Sequence, residues 1–162
     1  TAAVIAAGTG ADTALMVMNL VDGSDRTAHI TQVRVHIGVA TIGPSADVPG
    51  TLGLQRFSGA DMTGGNLRVV NKLNPNSKPS HMSNIRDNFS ALGGSTTWGD
   101  VVASTLVPNF ITDSGTMRLE WIIEPLFPIM LNAGDGIGLR TQVAMPTPQT
   151  WMYSYTFCWY EK

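Results

Sequence analysis

The side chains best suited to chemistry are few: His29, His36 and His81, the single Cys158, and acids that recur in pairs, Asp22 with Asp25 and Glu120 with Glu124. His29 and His36 stand seven residues apart on one strand pattern. Odd spacing sends them to opposite faces, so without an intervening bulge they do not share a metal. The two-His-then-Glu pattern of metal-binding β-barrels is absent. A reactive thiol needs a nearby His and an electropositive setting, and neither flanks Cys158, which reads as an inert, half-packed thiol. Asp22 and Asp25 lack the alternating oxygen ligands and distal Glu of a calcium loop and read as a turn. Glu120 and Glu124 point to one side of a strand, but four residues span about 13 Å. Glycosidase carboxylates sit about 5–9.5 Å apart, so this pair reads as a solvated edge or an interface rim.

Neither a Gly-x-Ser-x-Gly elbow nor a Gly-x-x-x-x-Gly-Lys loop occurs. Gly134-Asp-Gly-Ile-Gly138 is glycine-rich, but it opens no helix and so lacks the dipole that draws phosphate. It reads as a hairpin turn. No catalytic, cofactor or metal site is expected, and the chain reads as a non-enzyme that works by presenting surfaces.

The elements that must position such surfaces are strands. Thr13–Leu20 is the first, followed by the Asp22–Asp25 turn. Val33, Val35, Ile37 and Val39 then alternate with Gln32, Arg34, His36 and Gly38, which predicts one buried face and one polar or contact face. Thr51–Phe57 is a short strand with Leu52 and Leu54 inward and Gln55 outward. Pro44–Gly50 and Ser58–Asn66 read as loop and turn, and Leu67–Leu73 as a further strand. Residues 74–100 are the least regular: Asn74–Ser80 is loop chemistry, Ser83–Leu92 suits a short helix capped by Ser83, and Gly93-Gly94 ends it. Partner contacts are expected in that stretch, with Trp98 as an exposed aromatic or, alternatively, a plug at one end of the sandwich.

The last third is the most regular. Met117, Leu119, Trp121 and Ile123 alternate with Arg118, Glu120, Ile122 and Glu124. A Gly-Asp turn follows, and then Trp151, Tyr153, Tyr155, Phe157 and Trp159 share one face of a closing strand, with Cys158 on the other. The fold class predicted is all-β: a single-domain antiparallel β-sandwich, jelly-roll-like, with at most one short helix. Residues 1–12 form an amino-terminal arm or edge strand, and residues 13–162 form the sandwich.

Composition narrows the partners. Charged residues make up 14% of the chain and the net charge is −2, against roughly 25% charged in an average soluble domain. A charge-poor surface fits burial against neighbours, so a homo-oligomer is expected. Phosphate binding needs clustered Lys and Arg, and the charges here are scattered, so no nucleic acid is expected. No apolar run reaches the roughly 18 residues that span a bilayer, and the opening apolar stretch lacks the basic start of a secretory signal. One cysteine leaves no internal disulfide and suits intracellular synthesis.

Three places resemble the bacteriophage capsid-associated jelly rolls of the decoration or cement type, a pattern shared with tumour-necrosis-factor-like jelly rolls. They are Thr13–Ser24 with Ile30–Ile37, Leu52–Ala60, and Ile129–Leu139 followed by the aromatic strand ending at Glu161. The resemblance implies a virion structural protein, synthesised in the host cytoplasm and placed on the capsid surface. It implies a symmetric oligomer, a homotrimer by preference, clamping the major capsid protein and needing no cofactor. Val4 and Ile5 on the opening segment, His36 on the polar strand face and Trp98 are the candidate interface residues. The alternative is a carbohydrate- or receptor-binding module resembling a fibre head, with Trp98, Trp151 and Tyr153 as its aromatic platform.

Overall fold

The computed structural model describes residues 3–6, 8–20, 23–41, 49–59, 63–70, 78–82, 85–87, 96–107, 118–145, 147 and 149–162. They form eleven strands: β1 (Ala3–Ile5), β2 (Ala14–Asn19), β3 (Ala28–Thr41), β4 (Gly50–Gly59), β5 (Asn66–Leu67), β6 (Arg86–Asp87), β7 (Thr96–Val107), β8 (Arg118–Ile123), β9 (Ile129–Leu131), β10 (Asp135–Val143) and β11 (Thr150–Glu161). Sheet A runs β1-β11-β3-β8 with β9 also on β3, and sheet B runs β5-β6-β2-β10-β4-β7.

The pairing is nested and antiparallel. β1 pairs with β11, β2 with β10, β3 with β8 and β4 with β7, with alternate pairs in opposite sheets. A long hairpin rolled up on itself gives this arrangement, which makes the molecule a jelly-roll β-sandwich. The core lies between the sheets. Val33, Val35 and Ile37 from β3 and Trp151 and Tyr153 from β11 meet Met16, Met18, Leu52, Leu54, Ile137 and Leu139 from sheet B. The alternation on β3 and β11 is the cause: each inward side chain removes apolar area from water at about 25 cal/mol per Å². The Tyr153 hydroxyl crosses this layer and donates to the Leu15 carbonyl at 2.6 Å. A bulge between Leu139 and Arg140 leaves Leu15 without a partner on β10, and Tyr153 meets its carbonyl there.

Several expectations are corrected. Of the stretch proposed as a helix, Ile85, Arg86 and Asp87 are described, and Arg86–Asp87 is a strand paired with β2 and β5; the rest of Ser83–Leu92 lies outside the described residues. The proposed strand Leu67–Leu73 shrinks to its first residue within β5, and residues 71–73 are not described. Likewise outside are residues 44–48 of the proposed loop, 74–77 of the next, and Asp22 of the first turn. The Gly-Asp segment is no hairpin: β9 belongs to sheet A and β10 to sheet B, so the turn hands the chain from one sheet to the other. Asn132 N–H donates to Asp135 Oδ2 at 3.0 Å and Asp135 N–H to the Asn132 carbonyl at 2.9 Å. Gly134, at φ 78°, supplies the left-handed residue that this tight turn requires.

Candidate functional site

Two outer faces and one flank hold nearly all the polar chemistry of the described residues. On the outer face of sheet B, β10 places Gly136 and Gly138 where a side chain would otherwise stand. A Cβ at Gly136 would come within 2.1 Å of Phe57 Cζ, and one at Gly138 within 2.8 Å of Trp98 Cη2. The glycines let both rings lie down on the sheet. Phe57 and Trp98 meet edge-on at 5.1 Å between centroids, cover Ala14 and Val17, and form a second small apolar cluster.

Arg140 closes that cluster. Its guanidinium stacks 4.2 Å from the Trp98 ring centroid, an attraction between a cation and the negative ring face. Nη1 donates to Gln55 Oε1 at 2.8 Å and Nη2 to the Asp12 carbonyl at 2.9 Å, with Asp12 Oδ1 at 3.1 Å. Burial pulls the arginine below its ordinary pKa, and the Asp12 charge acts against that; the guanidinium stays charged. Gln55 points outward, as the alternation predicted, yet Arg140 keeps it out of solvent. Its side chain is buried between Arg140 and the Gly99 carbonyl, to which Nε2 donates at 2.7 Å. Trp98 sits on a regular strand, β7, rather than in an irregular loop. It is partly buried, and it caps a sheet face instead of plugging a sandwich end.

The outer face of sheet A is unlike this. Val4, Ile122, Met130, Met152 and Tyr160 are exposed on it. Between them stand polar pairs: His36 Nε2 lies 3.8 Å from Glu120 Oε1, both about half exposed, and Gln32 Nε2 donates to Glu124. His29 stacks on Tyr160 at 4.8 Å, with planes 4° apart. A register shift opposite Cys158 and Trp159 leaves Thr31 bulged, so His29 and His36 share this face, against the expectation of opposite faces. Seven residues of strand still separate them by about 20 Å. Cys158 is partly buried, on the strand face opposite the inward aromatics.

Two further apolar features adjoin the sheet edges. β8 and β9 both pair with β3, and between them Pro125–Pro128 loops out with Leu126 90% and Phe127 77% exposed. On β7, the edge strand of sheet B, Val101, Val102 and Leu106 are exposed.

The flank lies beside β11 beyond its described pairing with β1, and two carboxylates fasten it. Asp87 receives both Arg68 Nε contacts at 2.9 Å and the Tyr155 hydroxyl at 2.8 Å. Burial first, and then its own bond to Asp87, raise the Tyr155 pKa, while the Arg68 bonds to Asp87 raise that of Arg68. Glu161 accepts from Ser80 Oγ, from His81 N–H at 3.0 Å, and from Trp159 Nε1 and Arg26 Nη1 at 3.3 Å each. Burial alone would raise the Glu161 carboxyl; the Ser80, His81, Trp159 and Arg26 bonds outweigh it and hold the group below the ordinary glutamate value.

The candidate interface residues fall in three different settings. Val4 is 57% exposed at the sheet A edge, whereas Ile5 is 1% exposed and belongs to the core. This separates the two, because β1 pairs with β11 of its own chain and its alternation sends one side chain each way. His36 is on the open face of sheet A, and Trp98 is on the opposite side of the sandwich. Trp151 and Tyr153, offered as a platform with Trp98, are core residues. Arg140, Asp87 and Glu161 were not singled out from the sequence. Glu161 had a signal: it shares parity with the inward series Trp151 to Trp159.

Among the described residues, no group of three or more His, Cys, Asp and Glu is placed to hold a metal ion, and no helix is long and apolar enough to cross a membrane. Compared with protein-family models, curated proteins and solved structures, the chain matches none of them.

Proposed function

We propose that this chain is a virion structural protein, a capsid decoration or cement protein that acts as a symmetric oligomer, with the trimer favoured. It works without catalysis or cofactor. The observation that supports this is the outer face of sheet A, where five large apolar side chains stand exposed around exposed polar pairs, beside the Leu126–Phe127 corner. Apolar patches of this kind on a charge-poor chain mark surfaces that neighbours cover. Burying Leu126 and Phe127 fully would contribute about 1.5–3 kcal/mol each, and His36, Glu120, Gln32 and Glu124 would set the register of the contact. A protein that binds only the assembled shell stabilises it by mass action, which is the cementing mechanism.

The test is the solution mass by light scattering across a concentration series, together with co-sedimentation on assembled shells and on free shell subunits. The proposal expects a trimer that sediments with shells and not with subunits. A monomer at every concentration that also fails to sediment with shells defeats it.

A further inference from the structure

The flank beside β11 encloses a cleft of about 830 Å³, and we propose that it binds a single-headed anionic amphiphile, a long-chain carboxylate. This goes beyond the proposed structural role and does not depend on it.

Among the described residues, β1 pairs with β11 over Trp151–Tyr153. Past that point the inward side chains Tyr155, Phe157 and Trp159 remain partly buried and line the cleft. Inward positions of a closed sandwich are normally sealed, whereas these three, packed against the core, keep part of their surface exposed. Met16 and Met18 of β2, fully buried core residues, form the backing behind the cleft from the other sheet. The volume falls within the roughly 300–1,000 Å³ of small-molecule sites, and Tyr155 to Glu161 spans about 20 Å of strand, which suits an elongated tail.

Charge decides the head group. The chain has a net charge of −2 and ten basic residues, yet among the described residues Arg26, Arg68 and Lys78 all line this cleft against one lining acid, Glu161. At the far end Arg68 is already neutralised by Asp87. At the Glu161 end two cations face one carboxylate, and that carboxylate is taken up by four donors. Arg26 reaches across to donate to the Pro79 carbonyl at 3.2 Å, next to Lys78. Lys78 is exposed and makes no hydrogen bond or ion pair with another described residue. A carboxylate at Lys78, with its tail running past Trp159 and Phe157 towards Tyr155, matches both the charge and the apolar wall.

Titration calorimetry on the full chain tests this, with laurate below its micellar concentration and dodecylammonium as the cationic control. The expected result is saturable binding of one laurate per chain, at least tenfold weaker binding of dodecylammonium, and at least tenfold loss of laurate affinity in Lys78→Glu. Lys78→Ala, with an intermediate loss expected, guards against an effect peculiar to the new acid, and thermal unfolding checks that both variants fold. Absence of saturable heat up to millimolar laurate overturns the proposal. So does a stoichiometry well above one, equal binding of the cation, or unchanged affinity in folded Lys78→Glu.

Discussion

The two outer faces of this sandwich come from strands of similar alternating pattern, yet one is covered by its own side chains and the other is not. On sheet B, two glycines of β10 clear the floor, Phe57 and Trp98 lie down on it, and Arg140 closes the edge. On sheet A, β3 and β11 carry Arg34, His36, Met152 and Thr156 outward, His29 stacks on Tyr160, and Val4, Ile122, Met130, Met152 and Tyr160 stay exposed. The difference shows that outward polarity does not fix a face's role. What matters is whether the local shape lets the chain cover itself; where it does not, apolar side chains stay exposed.

That contrast can be broken or sharpened by mutation. Trp98→Ala removes a ring that Phe57, Gly138 and Arg140 all touch, and should lower unfolding stability by about 3 kcal/mol, near the low end for large aromatic truncations because Trp98 is only partly buried. A urea midpoint within error of the parent would show that sheet B is not self-covered. Gly136→Ala drives a Cβ into Phe57, and overpacking of this kind costs about 1–3 kcal/mol; Phe57→Leu in the same background should restore part of the loss in the same titration.

Glu161→Gln tests the flank, which lies apart from both faces. It keeps the shape and weakens charge-assisted bonds, for an expected loss of about 1–2 kcal/mol at neutral pH. The folded carboxyl lies below its ordinary value, so its contribution is full above the unfolded glutamate pKa and fades as pH falls through the folded one. The parent should lose stability on acidification through that window more steeply than Glu161→Gln. Parallel acid limbs in denaturant titrations at several pH values would remove Glu161 from the account.

The sheet A variants should do least to the folded chain. Ile122→Lys with Met152→Lys should shift unfolding by no more than about 0.5 kcal/mol, as surface changes do, yet reduce the oligomer mass seen by light scattering. A large loss of monomer stability would instead make this face structural. Smallest of all, Glu120→Gln should change stability by less than about 0.5 kcal/mol, since its pairing with His36 is solvent-exposed; denaturant titration resolves whether even that is present.

Much of the fold was legible. Period-two alternation identified β3, β8 and β11, and turn chemistry located Gly134, because burial of one sheet face leaves a local, repeating trace in the chain. The short strands were not legible. Arg86–Asp87 is extended because β2 and β5 flank it, and its own sequence suits a helix equally well. The candidate site was legible only in part. Val4, His36 and Trp98 were picked as single residues, but nothing along the chain indicates that Trp98 rests on glycines of β10, or that Glu161 reaches Ser80 and His81.

The sequence by itself determined the all-β class, the inward and outward sets of the long strands and the scarcity of charge, since these depend on residue type and near-neighbour spacing. Only the tertiary structure decided that a bulge at Thr31 puts His29 and His36 on one face, that Gly-Asp joins two sheets, that Arg140 is buried on Trp98, and that Tyr155, Phe157 and Trp159 border a cleft. These depend on which distant strands meet and in what register, and register is set by the simultaneous packing of the whole core rather than by any segment alone.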